Sequence, residues 1–273
     1  RGGAGCVSGF ICGAAEMSPE RITSRRNPLL QQVRRLLSSP RDRLESGLFV
    51  GDGTKLLEEA VRWDGGLEAV ILTDTLPVPE LPPQTAVYQV PADVMESISP
   101  MKTPQGALFL CRLRPAPPLR LSPGCLILDG IQDPGNLGTI LRTADALDVP
   151  VILTQGCADP YGWKTVRASM GAVFRSRPMR GTQEEILSAS KTDGVPLAAA
   201  ALSKRAKDIR QAHLNRYAVI IGSEGRGVSR QYLEACSREL IIPMNPRCES
   251  LNAATAAAIV MWQIQLEPGG RLE

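Results

Sequence analysis

Residues 240–265 read LIIPMNPRCESLNAATAAAIVMWQIQ. An apolar strand pattern over 240–244 meets Pro243, which has no N–H to give to a sheet ladder, so the strand must end there. A polar loop follows, and Ser250-Leu251-Asn252 opens a helix, either Ser250 or Asn252 serving as its N-cap. Small residues at 253, 254, 256, 257 and 258 leave little surface that prefers water, so this helix is expected between layers or in a subunit contact. Working back along the chain, apolar runs recur at 125–129 (CLILD), 150–154 (PVILT), 195–201 (VPLAAAA) and 217–222 (YAVIIG), none alternating with polar residues. That pattern belongs to strands buried on both faces. Helical patterns at 136–147, 162–173, 183–190, 229–236 and 250–266 lie between them. The β-α order predicts an α/β fold around a parallel sheet, with chemistry at the carboxyl ends of its strands.

Four prolines in Arg114–Pro123 (RPAPPLRLSP) cannot sit inside a helix or a central strand, and predict a linker at 114–123. Upstream, Leu29, Leu30, Val33, Leu36 and Leu37 have helical spacing, as do Leu56, Leu57, Ala60 and Val61. Strands are expected at 68–73, 86–90 and 107–111. The reading is a small α/β domain over 20–113, the linker, and a parallel-sheet domain over 124–268. Residues 1–19 are expected to be a tail or upstream residues, with Met17 a plausible natural start.

Composition removes several kinds of chemistry. At 43% apolar and 22% charged, the 273 residues are ordinary for a globular chain, so disorder is excluded as its overall state. The seven cysteines (6, 12, 111, 125, 157, 236 and 248) are scattered, with no pair at metal-binding spacing. They read as reduced thiols in a cytoplasmic protein. His213 is the only histidine, so a His-based zinc site, a Ser-His-Asp triad or a Cys-His dyad would each rest on one residue, and no metal is expected. The charge-free stretch Ser250–Leu266 falls short of the roughly 20 apolar residues of a membrane span. Net charge is only +3, but seven arginines (21, 25, 26, 34, 35, 41 and 43) stand against Asp42 alone, and residues 160–183 carry Lys164, Arg167, Arg175, Arg177 and Arg180 with no acid. Such tracts suit a polyanion, although solvated helix faces carry arginine equally well.

Three segments invite a functional reading. In LDGIQDPGNLGTILRTADAL (128–147), a buried strand turns into a helix bearing Asn136 and Arg142. Here Asn136 is either a helix cap with Arg142 merely exposed, or both are functional. In VIIGSEGRGVS (219–229), glycines at 222, 225 and 227 follow a strand. They permit close backbone approach to a ligand, or make a plain tight turn ending at Ser229. Neither a dinucleotide fingerprint nor a phosphate loop is present, which argues against a nucleotide-dependent oxidoreductase. The third segment is the one quoted first.

In order and wording, the three segments together resemble the SpoU (TrmH-type) RNA ribose 2′-O-methyltransferases of the SPOUT class, over residues 20–266. Asn136, Gly138 and Arg142 match the family's N-x-G-x-x-x-R, and Gly222–Ser229 matches G-N-E-G-x-G-(L/V)-S with Ser223 in place of Asn. Ile242-Pro243-Met244 and Ser250-Leu251-Asn252 match I-P-M and S-L-N, with Ala253-Ala254 where Val-Ser is common. The stretch DPYGWKTVRASMG resembles the family's D-P-x-x-x-K-x-x-R-A-S-x-G. FVGDGTKLLEEA and SPMKTPQGALFL resemble the L30e-like substrate-binding domain of many members.

The resemblance implies a deep trefoil knot, which ordinary topology rules would have rejected. It also implies S-adenosylmethionine held by Gly222, Ile242, Met244, Leu251 and Thr154, and a homodimer. The reacting groups would be Arg142, Asn136, Glu224, Ser250 and Asn252, Glu224 organising its loop or pairing with Arg142. Structured RNA would meet Arg25, Arg26, Lys164, Arg167 and Ser169. A guanidinium is protonated at physiological pH, so Arg142 is expected to position the hydroxyl and its phosphate rather than act freely as a base. The two-domain arrangement favours ribosomal RNA, 23S first. Transfer RNA, or a non-catalytic RNA-binding homologue, are the alternatives.

Overall fold

The computed structural model describes residues 19–203 and 205–267. The expected tail, apart from Pro19, therefore lies outside the described residues, as does residue 268. The first unit comprises β1 (Glu20–Arg21), α1 (Pro28–Ser38), α2 (Pro40–Ser46), β2 (Leu48–Asp52), α3 (Thr54–Arg62), β3 (Leu67–Thr73), β4 (Ala86–Val90), α4 (Ala92–Ile98) and β5 (Ala107–Arg112). Its sheet order is β1-β4-β3-β5-β2, with β5 antiparallel to both β2 and β3. Asn27 caps α1 by accepting from Leu29 N, and Pro28 stands at its first turn, where no N–H is needed. The Ser39-Pro40 pair starts α2 in the same way. Periodicity did not predict α2, β2 or α4, because seven- and five-residue elements are too short to display a period.

The second unit comprises β6 (Leu126–Asp129), α5 (Pro134–Ala146), β7 (Val151–Leu153), α6 (Trp163–Ala168), α7 (Ala172–Arg175), β8 (Met179–Arg180), α8 (Gln183–Thr192), β9 (Leu197–Ala200), β10 (Lys207–Asp208), β11 (Ala218–Gly222), α9 (Arg230–Ala235), β12 (Arg238–Ile241) and α10 (Ala253–Leu266). Every pairing in its sheet is parallel, in the order β10-β12-β9-β11-β6-β7-β8. The chain moves outward from β6 to β7 and β8, then resumes on the other side of β11. A crevice forms at the strand ends where such an order reverses.

Two local expectations change, and one left open is decided. The helix foreseen over 162–173 breaks into α6 and α7, because Met170 and Gly171 both adopt left-handed φ, of 48° and 90°. The Gly171 backbone lies against Glu59 there. The cap of α5 is Asp133, whose carboxylate accepts from Asn136 N at 2.7 Å, so Asn136 is not the cap and its side chain is free for other work. At the last helix the cap is Asn252, accepting from Ala254 N and Thr255 N, while Ser250 lies in the loop before it.

The linker is not a free tether. One continuous core joins Phe49, Leu57 and Phe109 of the first unit to Leu137, Val166 and Phe174 of the second. The Phe49 ring lies 5.0 Å from Tyr161 and 6.1 Å from Phe174. Buried Arg43 donates to Asp159 at 2.9 Å and to Leu36 O, and Arg175 bridges Glu59 and Asp145.

Candidate active site

A cavity of about 390 Å³ opens at the carboxyl ends of β9, β11 and β12, within the usual range for small-molecule sites. Its floor is Ala200, Ile221 and Leu240, and its rim includes Gly222, Ile242, Met244 and Leu251. Four of the five expected cofactor residues thus come together. The fifth, Thr154, does not. It follows β7, which β6 and β11 separate from β9, and its hydroxyl accepts from Gly130 N and donates to Gln155 O. Thr154 therefore does not line this cavity.

The glycine loop is built by close approach. A Cβ on Gly222 would lie 2.0 Å from the Gly227 carbonyl carbon, so only glycine lets the chain fold back here. Gly227 N donates to Ser223 O at 2.8 Å and closes the loop. Its far end is pinned by Asp129, whose carboxylate accepts from Ser229 N at 2.7 Å, and by Gln183, which donates to Ser229 Oγ at 2.9 Å. Ser229 precedes α9 but its hydroxyl does not cap it. Sequence reasoning missed Asp129 and Gln183. Only Asp129 left a signal, a carboxylate closing an otherwise apolar strand.

At the mouth, side chains from all three segments join. Asn136 Nδ2 donates to Glu224, and Asn252 Nδ2 donates to Asn136 Oδ1 at 3.0 Å while Asn252 Oδ1 caps α10. Glu224 therefore meets Asn136 rather than Arg142. Ser250 lines the cavity and is exposed. Arg142 is exposed and makes no ion pair or hydrogen bond among the described residues. Six residues of helix place it roughly 120° around and about 9 Å along α5 from Asn136. Gly138 has a packing role. Its Cβ would fall 2.5 Å from Ala168 Cβ, so it lets α5 and α6 touch.

The expected RNA contacts divide. Lys164 and Arg167 are exposed, Lys164 over the Trp163 ring and Arg167 against Met101 Sδ. Ser169 is wholly buried and donates to Val166 O at 2.7 Å, so it cannot touch a macromolecule from that position and is corrected to a structural role. Arg25 is exposed but pairs with Asp93 at 2.7 Å, and Arg26 is exposed without an ion pair among the described residues. The first basic tract is less cationic than its composition implied, because Arg21, Arg41 and Arg43 also find acids.

Residues 123–262 match the SpoU rRNA Methylase family, and residues 27–108 match the MRM3-like substrate binding domain. The chain belongs to the SpoU rRNA methylase family. A Bacillus subtilis relative, the 23S rRNA (guanosine(2553)-2′-O)-methyltransferase RlmP, is 30% identical, the match covering 90% of this chain and 99% of that protein. The AdoMet-bound rRNA methyltransferase of Sinorhizobium meliloti superposes with a TM-score of 0.79 at 27% identity, covering 90% of this chain and 97% of that one. A crystallised RNA 2′-O ribose methyltransferase gives 0.76 at 29% identity, covering 89% and 97%. As a SpoU methylase the chain is an RNA methyltransferase using S-adenosylmethionine. The cavity fits that cofactor, being apolar at its floor, of suitable volume, and rimmed by a loop whose Gly222 leaves no room for a side chain. No described helix is long and apolar enough to cross a membrane.

Proposed function

We propose that this SpoU methylase acts on a ribose 2′-hydroxyl of 23S ribosomal RNA, in the cytoplasm and as a homodimer. The observation that carries the site assignment is the Glu224–Asn136–Asn252 hydrogen-bonded bridge, which joins the three motifs at the cavity mouth. Gly222, Ile242, Met244 and Leu251 hold the cofactor, which when bound supplies an activated methyl group. The chain's task is orientation and proton handling. Arg142, exposed and unpaired among the described residues, presents a planar fork of donors to the hydroxyl and the adjacent phosphate. Asn136 and Asn252 hold the glycine loop and the last helix in register, and Ser250 completes the polar edge. The 23S target rests on the likeness to RlmP, and transfer RNA remains the alternative.

The test is transfer of labelled methyl groups to ribosomal RNA, followed by alkaline hydrolysis. A methylated 2′-oxygen cannot attack the neighbouring phosphate, so label should appear in alkali-resistant dinucleotides. Label only in mononucleotides would mean base methylation and defeat the reading. Arg142→Lys keeps the charge but loses the fork, and should lower kcat at least about a hundredfold, the scale of one positioned transition-state contact, with cofactor affinity unchanged. Wild-type turnover would remove Arg142 from the mechanism.

The dimer is supported by α10. Thr255, Trp262 and Leu266 lie exposed along one face with half-buried Ile259 between them, Trp262 and Leu266 being 54% and 59% exposed. Light scattering at micromolar concentration should give a dimer, and Trp262→Glu a monomer.

A further inference from the structure

A second cavity, of about 840 Å³, lies where the two units meet. It shares no lining residue with the cofactor cavity. Apolar walls come from Leu44 of α2, Leu113 and Ala116 of the connection, Leu153 at the end of β7, and Pro178 before β8.

Its charges do not cancel. The Asp159 carboxylate accepts from Arg43 and, at 2.9 Å, from Tyr161 N. That of Glu185 accepts from Thr182 N at 2.7 Å in the capping box of α8. Both acids are thus engaged by the fold. Arg43 is engaged as well, by Asp159 and Leu36 O, whereas the remaining arginines are held more loosely. The Arg114 guanidinium has no ion pair among the described residues and only a 3.3 Å hydrogen bond to Phe174 O. Arg180 has its side chain 49% exposed and reaches Asp159 only at 3.7 Å. Arg177, close by, is exposed and donates to Pro115 O at 3.3 Å. Tyr161 also lines the cavity, its hydroxyl donating to Arg114 O at 3.5 Å. Burial, and to a lesser degree Asp159, push its phenol up, while Arg180, Arg177 and Arg114 pull it back.

We infer that this interdomain cleft receives an unpaired nucleotide of the RNA, its base against the apolar walls and its flanking phosphates on Arg114, Arg177 and Arg180. The chemistry matches on both counts. Splayed RNA bases seek apolar and aromatic surfaces, and guanidinium forks bind phosphate in a plane. The cleft also lies at the carboxyl edge of the sheet that carries the cofactor cavity, so one strand of RNA can engage both. The inference rests on the reading that the partner is RNA, and adds a subsite outside the reacting centre.

The test uses the full chain and ribosomal RNA transcribed with 4-thiouridine. Irradiation at long wavelength should crosslink the transcript to peptides spanning 113–116 or 153–161. Arg114→Ala with Arg180→Ala should weaken transcript binding on the order of tenfold, the loss expected for two phosphate contacts. The same variant should abolish those crosslinks and leave S-adenosylmethionine affinity unchanged. Arg180→Ala alone, which removes only the 3.7 Å contact, guards against a folding defect and should show a smaller loss of the same kind. Crosslinks confined to other surfaces, or unchanged affinity in a variant with wild-type thermal stability, would overturn the inference. Crosslinks here in a protein that methylates no RNA would uphold the nucleotide site while removing the proposed reaction.

Discussion

Two glycines that a motif reading treats alike act for different reasons. Gly222 gives way to its own loop, since a Cβ there would meet the Gly227 carbonyl. Gly222→Ala must displace backbone rather than a flexible side chain, and should cost about 1–3 kcal/mol. Its effect should fall on cofactor binding, and calorimetric titration with S-adenosylmethionine should show at least a tenfold weaker Kd. Unchanged affinity would mean that the loop does not shape the cavity. Asn136 shows where residue-level reading ran out. A cap and a network residue are the same letter in the sequence, and only the position of Asp133 three residues earlier, taking the capping role, separates them.

At the scale of elements, α5 carries Asn136 and Arg142, and its distance from α6 is set by Gly138. Gly138→Ala would force Ala168 and the Thr165 carbonyl away, and overpacking of this kind costs about 1–3 kcal/mol. The expected loss is about 2–4 °C in Tm per kcal/mol for a chain of this size, with a fall in kcat as Arg142 shifts. A variant as stable and active as wild type would show the interface to be slack. Strands β6, β7, β9 and β11 lay within the expected ranges because a run buried on both faces needs no partner to be recognised. The split between α6 and α7 was not legible, since the left-handed turn at Met170-Gly171 meets a side chain from another unit, Glu59.

Across the whole molecule, the two units share one core and a half-buried ion pair, so calorimetry should show a single unfolding transition rather than two. Arg43→Ala leaves Asp159 without its main partner and Leu36 O without its side-chain donor. Asp159 is partly exposed and keeps Arg180 and Tyr161 N, so the loss is that of a group left short of a partner, about 1–3 kcal/mol, and the transition should fall accordingly. Two separate transitions in the wild type would show that the junction does not couple the units. The seven-arginine tract makes the complementary point, because charge counted along a chain ignores which acids folding brings to it. Asp74, Asp93 and Asp159 all come from outside the tract.

By itself the sequence determined the layered α/β class, the parallel character of the second sheet and the order of the three segments that meet at the cavity mouth. Each of these depends on local periodicity, on proline and glycine stereochemistry, or on residue order, and all three are written along the chain. Tertiary structure alone decided that Glu224 meets Asn136 rather than Arg142, that Thr154 stands apart from the cavity at the ends of β9, β11 and β12, that Ser169 is buried, and that a second cavity opens between the units. Those outcomes depend on strand order and on packing between residues about a hundred positions apart, and no local pattern encodes either.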